Sequence, residues 1–339
     1  WVHRDLLLFK LISHNIDGKM YRSVQNLLGK TQSCIELSAS LRSEWFSINS
    51  GVRQGDCLSP TLFSLYINDL VEYLKSNGPV MNVGNLQLNI LLYADDMVIL
   101  GETEEALQTL LQKIYEWCCN WRLKVNESKT KIVHFRNASS DVTEFAFMYG
   151  QSELEKVSQY KYLGIILDEH LKYNSCIKAL ADSSGRALGG IISKFKSLRN
   201  VGYDTFSKLY KSGVQPVSEY GAGIWGWHKA SEIDTIQNRA MRYYLGVHKF
   251  AANAAIVADM GWTKPKFNRY LCLIRFWNRM LSLPDERLTK QIFNYDYDKC
   301  GRNWCKEIKC IFEKLDLEHV YINKELCDLS IVQDNIKGT

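Results

Sequence analysis

Between Leu88 and Leu100 two short apolar runs flank two adjacent aspartates, Asp95 and Asp96. Runs this short, partly β-branched and separated by a polar break, predict two strands joined by a tight turn. The carboxylates then cluster at the turn, where like charges repel and would pay desolvation if left bare. A hard cation such as Mg2+, which takes oxygen ligands, relieves both. An ordinary Asp-rich turn fits equally well, because Asp is common in turns. Taken alone, the run leaves both readings open.

Composition narrows the class. With 339 residues, 46% of them hydrophobic and only 5 Pro, the chain can build two or three domains with real cores, which excludes disorder. No apolar run approaches the roughly 20 residues needed to span a bilayer. The start Trp1-Val2-His3-Arg4-Asp5 lacks the layout of a signal peptide. A soluble intracellular protein, nuclear or cytoplasmic, is expected. The first residue is not Met, which suggests a fragment. The 10 Cys have no framework spacing, so reduced core thiols are expected rather than disulfides.

Charge is uneven along the chain. Residues 1–170 hold 16 Lys and Arg against 20 Asp and Glu, whereas 171–250 hold 12 against 5. A basic, aromatic-interleaved helical segment behind an acidic one suits a protein that grips a phosphate backbone in one part and metal ions in another. A solvated basic face is the plainer alternative.

Periodicity supplies the elements. Asp17–Leu28 reads as a helix, and Ser33–Ser38 with Glu44–Asn49 as a hairpin. Gly51–Pro60 is a loop, and an apolar stripe from Leu62 to Leu74 follows a helix start at Pro60. Thr103 is a good N-cap before a helix carrying Leu107, Leu110, Leu111, Ile114, Cys118 and Trp121. Lys131–Phe135, Phe145–Met148 and Tyr162–Leu167 read as short strands. From Tyr173 onward the pattern is almost wholly helical, broken at Asn200–Gly202, Gly213–Pro216 and Pro284–Asp285.

Further segments accompany the aspartates. Gly51-Val52-Arg53-Gln54-Gly55-Asp56-Cys57-Leu58-Ser59-Pro60 joins a strand to a helix through two glycines, an arginine and an amide. Asn126-Glu127-Ser128-Lys129-Thr130-Lys131 places two lysines before a strand, and Gln159-Tyr160-Lys161-Tyr162-Leu163-Gly164-Ile165-Ile166-Leu167 reads as an aromatic, basic strand. With Tyr93-Ala94-Asp95-Asp96 among them, this order and spacing resembles the reverse transcriptases of non-LTR (LINE-type) retrotransposons.

The resemblance covers nearly the whole chain and implies an α+β fold. A palm of antiparallel sheet and packed helices is expected over residues 1–170, a basic helical thumb over 171–250 and a C-terminal helical region over 251–339. It implies RNA-directed DNA polymerase activity: nucleotidyl transfer from deoxynucleoside triphosphates to a DNA primer 3′-hydroxyl on an RNA template, with two Mg2+ ions. By resemblance Asp95 is a principal metal ligand and Asp96 its companion, while Lys129, with Lys131 as second choice, protonates or neutralises the leaving pyrophosphate. Arg53, Gln54 and Gly55 bracket nucleotide and template; Tyr93, Tyr162, Leu163 and Gly164 hold the primer. Asn238, Arg239, Arg242 and Lys249 are expected to reach the nucleic-acid backbone, with solvated surface the alternative for each.

The family's third aspartate sits in a Phe-Asp pair, and the opening residues look like the tail of that motif with the pair removed. Asp5 falls too late to replace it and reads as a helix N-terminal charge. The isolated chain is therefore expected not to extend a primer usefully, and a non-catalytic nucleic-acid-binding remnant is the alternative. Cys300, Cys305 and Cys310, with His319 and Cys327 beyond, are spaced wrongly for a zinc site and read as core thiols. Trp225, Trp227 and His228 are expected to pack between helices rather than stack on bases.

Overall fold

A computed structural model describes residues 2–38, 41–197, 201–299, 301 and 303–337. Trp1, Cys300 and Asn200 lie outside the described residues. The fold mixes helices with small two-stranded sheets in two compact units, one of 1–132 with 142–157, the other of 133–141 with 158–339. No helix among the described residues is long and apolar enough to cross a membrane.

The first unit is organised by the helix Glu104–Asn120. Thr103 accepts a hydrogen bond from the Ala106 N–H at 3.2 Å, and Glu104 and Glu105 lie in the first turn, where the helix dipole favours negative charge. Its stripe buries Leu110, Leu111, Ile114, Trp117 and Cys118 against Leu7 and Leu11 of the helix Arg4–Ser13 and Tyr66, Leu70 and Leu74 of two helices between. Those two, Ser59–Ile67 and Asp69–Asn77, replace the single stripe expected from Leu62 to Leu74, with Asn68 at the junction. Asp5 lies in the first turn of Arg4–Ser13, as the sequence indicates.

One lysine enters this core. Lys10 is buried with its Nζ 3.7 Å from the centre of the Trp121 ring and 4.6 Å from that of Trp117. It donates to the Tyr66 carbonyl and, at 2.5 Å, to the Asp69 carboxylate. Burial lowers its pKa, and Asp69 opposes the shift.

The strands are shorter and less joined than an antiparallel palm sheet would have them. Among the described residues every sheet has two strands, and one pair, Lys131–Ile132 with Glu155–Lys156, is parallel. Strands of two to four residues offer few ladder bonds with which to recruit a third neighbour. The hairpin expected over residues 33–49 is likewise split, Gln32–Ser33 pairing with Phe46–Ser47 and Glu36–Ser38 with Leu41–Arg42 across an irregular register.

The second unit holds one hairpin and then helices. Gln159–Tyr162 pairs antiparallel with Ile165–Asp168. This corrects the single strand expected over Gln159–Leu167: Leu163 and Gly164 adopt φ of 46° and 86°, which turns the chain back on itself. Helix Asn174–Ser197 packs against Ser231–Leu245, with Phe206, Tyr210 and Trp262 stacked beside them. A separate core gathers Trp277, Phe293, Phe312 and Tyr321. There the buried Lys290 ammonium donates to the Met280 and Leu281 carbonyls at 3.1 and 2.9 Å, closing the end of the helix Pro265–Ser282. Cys305 and Cys327 are buried in this core.

Candidate active site

The two aspartates sit where two apolar strands run out. Ile90–Tyr93 and Asp96–Ile99 form an antiparallel hairpin in the register Ile90↔Ile99, Leu91↔Val98, Leu92↔Met97 and Tyr93↔Asp96, leaving Ala94 and Asp95 as the turn. Side chains alternate along a strand. Ile90, Leu92, Met97 and Ile99 pack on the first unit's core, so Leu91, Tyr93, Asp96 and Val98 take the other face. Apart from buried Ile90 the apolar strand residues are half-buried, and Tyr93, Asp95 and Asp96 are exposed. Among the described residues neither carboxylate is paired with a cation. Two exposed carboxylates on one turn offer hard oxygen donors of the kind Mg2+ takes. They are only two ligands: no group of three or more His, Cys, Asp or Glu forms a metal cluster among the described residues.

Ala94 holds φ at 52°, in the left-handed region that costs an L-residue about 1–2 kcal/mol. Such strain persists where the surroundings over-determine it. Here the base of the hairpin is fixed by Asn89, whose fully buried side-chain amide donates to the Pro79 carbonyl at 3.2 Å and whose backbone carbonyl accepts from the Leu100 N–H at 2.9 Å.

Arg53, Gln54 and Gly55 are exposed on a loop in the same unit. Arg4 fixes the loop's entry. Its guanidinium donates to the Gly51 carbonyl at 3.0 Å and to the Leu28 and Ile48 carbonyls at 2.6 Å each, and the Gly51 N–H returns a bond to the Val2 carbonyl at 2.7 Å. Burial, and after it the nearby charge of Arg53, lowers the Arg4 pKa. On the far side Asp56 accepts the Leu58 N–H at 3.0 Å and launches the helix Ser59–Ile67.

Lys129 is exposed in a turn built on Asn126, whose Oδ1 accepts from the Ser128 hydroxyl at 2.8 Å and the Lys129 N–H at 3.3 Å. The Lys131 ammonium is paired with Glu155 at 2.6 Å.

Tyr162, Leu163 and Gly164 belong to the second unit, at the end of its hairpin. Asn238 and Arg239 lie on the helix Ser231–Leu245, with Arg239 exposed. Arg242 is on the same helix but donates to the Ala251 carbonyl at 2.9 Å and Asn253 Oδ1 at 2.5 Å. Lys249 lies beyond the helix end in a turn. Trp225 is fully buried and His228 packs between Tyr173 and Trp227, as expected of these aromatics.

Reading by motif missed Arg4, Asn89 and Lys10. Each acts on groups far along the chain, and none carries a local signal.

The comparisons fall on this geometry. Residues 2–167, which contain the hairpin and the Arg53 loop, match the family described as reverse transcriptase (RNA-dependent DNA polymerase). The chain is 29% identical over 228 residues to the RNA-directed DNA polymerase from mobile element jockey of Drosophila funebris, covering 65% of this chain and 24% of that protein. It is 31% identical over 209 residues to the probable RNA-directed DNA polymerase from transposon BS of Drosophila melanogaster, covering 58% and 22%. Against the Pol polyprotein from the type-2 retrotransposable element R2DM of Drosophila melanogaster it is 36% identical over 130 residues, covering 36% and 12%. The chain thus spans about a quarter or less of the length of these curated relatives. Residues 2–167 are a reverse transcriptase domain. With these relatives, the chain is similar to the reverse transcriptases of non-LTR, LINE-type retrotransposons.

Proposed function

We propose that this chain supplies the palm and thumb of an RNA-directed DNA polymerase that adds deoxynucleotides to a DNA primer on an RNA template. The observation that carries the reading is the exposed Asp95-Asp96 pair at the hairpin end, with Tyr93 opposite Asp96, inside the reverse transcriptase match. Asp95 and Asp96 would hold Mg2+, with other oxygen donors completing its shell; bound there, the ion supplies charge stabilisation at the attacking and leaving oxygens of phosphoryl transfer.

The remaining roles belong to side chains. Arg53, whose charge comes after burial in lowering the Arg4 pKa, offers a cation to an anionic triphosphate beside the loop. Gln54 and Gly55 present an amide and an open backbone to the nucleotide and template. Lys129 provides a proton or a positive charge to the departing pyrophosphate. Tyr93, Tyr162, Leu163 and Gly164 bear on the primer. Exposed Arg239, with Asn238 and Lys249, meets phosphates, and Arg242 orders the backbone of that region through Ala251 and Asn253.

Extension of a labelled DNA primer on an RNA template, in Mg2+ and all four deoxynucleoside triphosphates, tests the reading on the polypeptide that carries residues 1–339. Template-directed product is expected of that polypeptide, and none at a useful rate of residues 1–339 alone. Binding of the primer–template with no nucleotide addition would contradict it.

A further inference from the structure

We infer that Tyr220 is a positioning residue for the Leu163-Gly164 turn, holding it in the one geometry in which it can bear on a primer end; the inference rests on the reading of that turn as a primer-binding element. The turn is costly by itself. Both residues have positive φ, 46° at Leu163 and 86° at Gly164, and a leucine gains nothing locally from that conformation. Something outside the hairpin must define it.

Two consecutive residues do so. The Tyr220 hydroxyl donates to the Leu163 carbonyl at 2.8 Å across 57 residues of sequence. Its ring lies against Gly164 so closely that a Cβ there would come 2.8 Å from the ring Cε1. Gly221, at φ 66°, brings its backbone onto the next residue: a Cβ on Gly221 would stand 2.5 Å from Ile165 Cδ1. The pair is anchored from behind by Trp225, fully buried, whose indole N–H donates to the Tyr220 carbonyl at 2.9 Å. Leu163, Gly164 and Ile165 are thus each met in turn by Tyr220 or Gly221.

Tyr220 is itself 50% exposed, and the carbonyl it binds is at an exposed tip that water could satisfy nearly as well. The hydroxyl therefore contributes little to global stability and acts on where the tip sits. That separates a positioning role from a structural one.

The test uses this chain and a fluorescent DNA primer on RNA, with a recessed primer 3′-end or with a blunt end of equal duplex length. The unsubstituted chain is expected to prefer the recessed end by about fivefold, and Tyr220→Phe to bind blunt duplex within about twofold of it while losing most of that preference. The melting temperature of Tyr220→Phe should stay unchanged, and Tyr220→Ala should lose the preference entirely. A Tyr220→Phe chain that keeps the full preference overturns the inference, as does one whose loss is matched by a lowered melting temperature. An unsubstituted chain with no preference for the recessed end instead removes the primer-binding reading of the turn, and the inference with it.

Discussion

Tyr93 stands directly across the hairpin from Asp96, the last ladder pair before the Ala94-Asp95 turn, on the face that does not pack on the first unit's core. The register is set by the opposite face, where Ile90, Leu92, Met97 and Ile99 are held by that core. A one-residue slip would bury Asp96 and expose its apolar neighbours, so burial on one side fixes the acidic group on the other.

The strain at Ala94 gives a stability prediction. Ala94→Gly relieves the left-handed backbone but loosens the unfolded chain, leaving a net gain of about 0.5–1 kcal/mol, whereas Ala94→Val costs more than about 1 kcal/mol. Urea unfolding checks the order. A valine as stable as the alanine would show that the turn is free to adopt another conformation.

Arg4 should matter through its shape as well as its charge. It reaches three carbonyls from two nitrogens, a fork that an ammonium cannot reproduce. Arg4→Lys is expected to lose about 1–3 kcal/mol and to speed hydrogen exchange in residues 51–56. Unaltered exchange in that loop would mean that Arg4 does not hold it.

Lys129, before the parallel strand pair, and Lys131, which opens it, should behave differently in synthesis. Lys131 spends its charge on Glu155, which is 65% exposed, a pairing worth less than about 1 kcal/mol, so Lys131→Met is expected to change little. Lys129→Met should slow nucleotide addition about 100-fold with primer–template affinity retained. Single-turnover extension distinguishes them, and equal effects would remove Lys129 from its assigned role.

Burial lowers the His228 pKa from its ordinary 6.5, with Glu307 opposing the shift. The unfolded chain takes up a proton near that ordinary value while the folded one resists it. The stability this provides is complete above pH 6.5 and is lost as pH falls through the depressed folded value. His228→Gln should therefore lose less stability than the unsubstituted chain between about pH 7.5 and about pH 5. Parallel urea midpoints at the two pH values check this, and identical losses would refute it.

What could be read from sequence was whatever is encoded locally. The acidic hairpin, the Thr103 cap and the helical second half follow from short-range periodicity and capping, and the structure has them. The break at Leu163 could not be read that way, because a leucine with positive φ carries no turn signal and its support arrives from Tyr220. Arg4 was invisible for the same reason: its carbonyl partners are 24 to 47 residues away. Lys10 sits in an apolar run whose pattern hides the aromatic cluster and Asp69 that receive it. For Arg242, composition marks a charge but not the Ala251 and Asn253 oxygens that already engage it.

In the proposed function Asp95 serves nucleotidyl transfer and not folding or binding. The direct measurement is RNA-templated primer extension by the polypeptide carrying this chain, unsubstituted and as Asp95→Asn, with primer–template affinity measured on the same samples. A loss of at least about 1,000-fold in extension is expected, with affinity within about threefold. Extension by Asp95→Asn within about tenfold of the unsubstituted protein would contradict it.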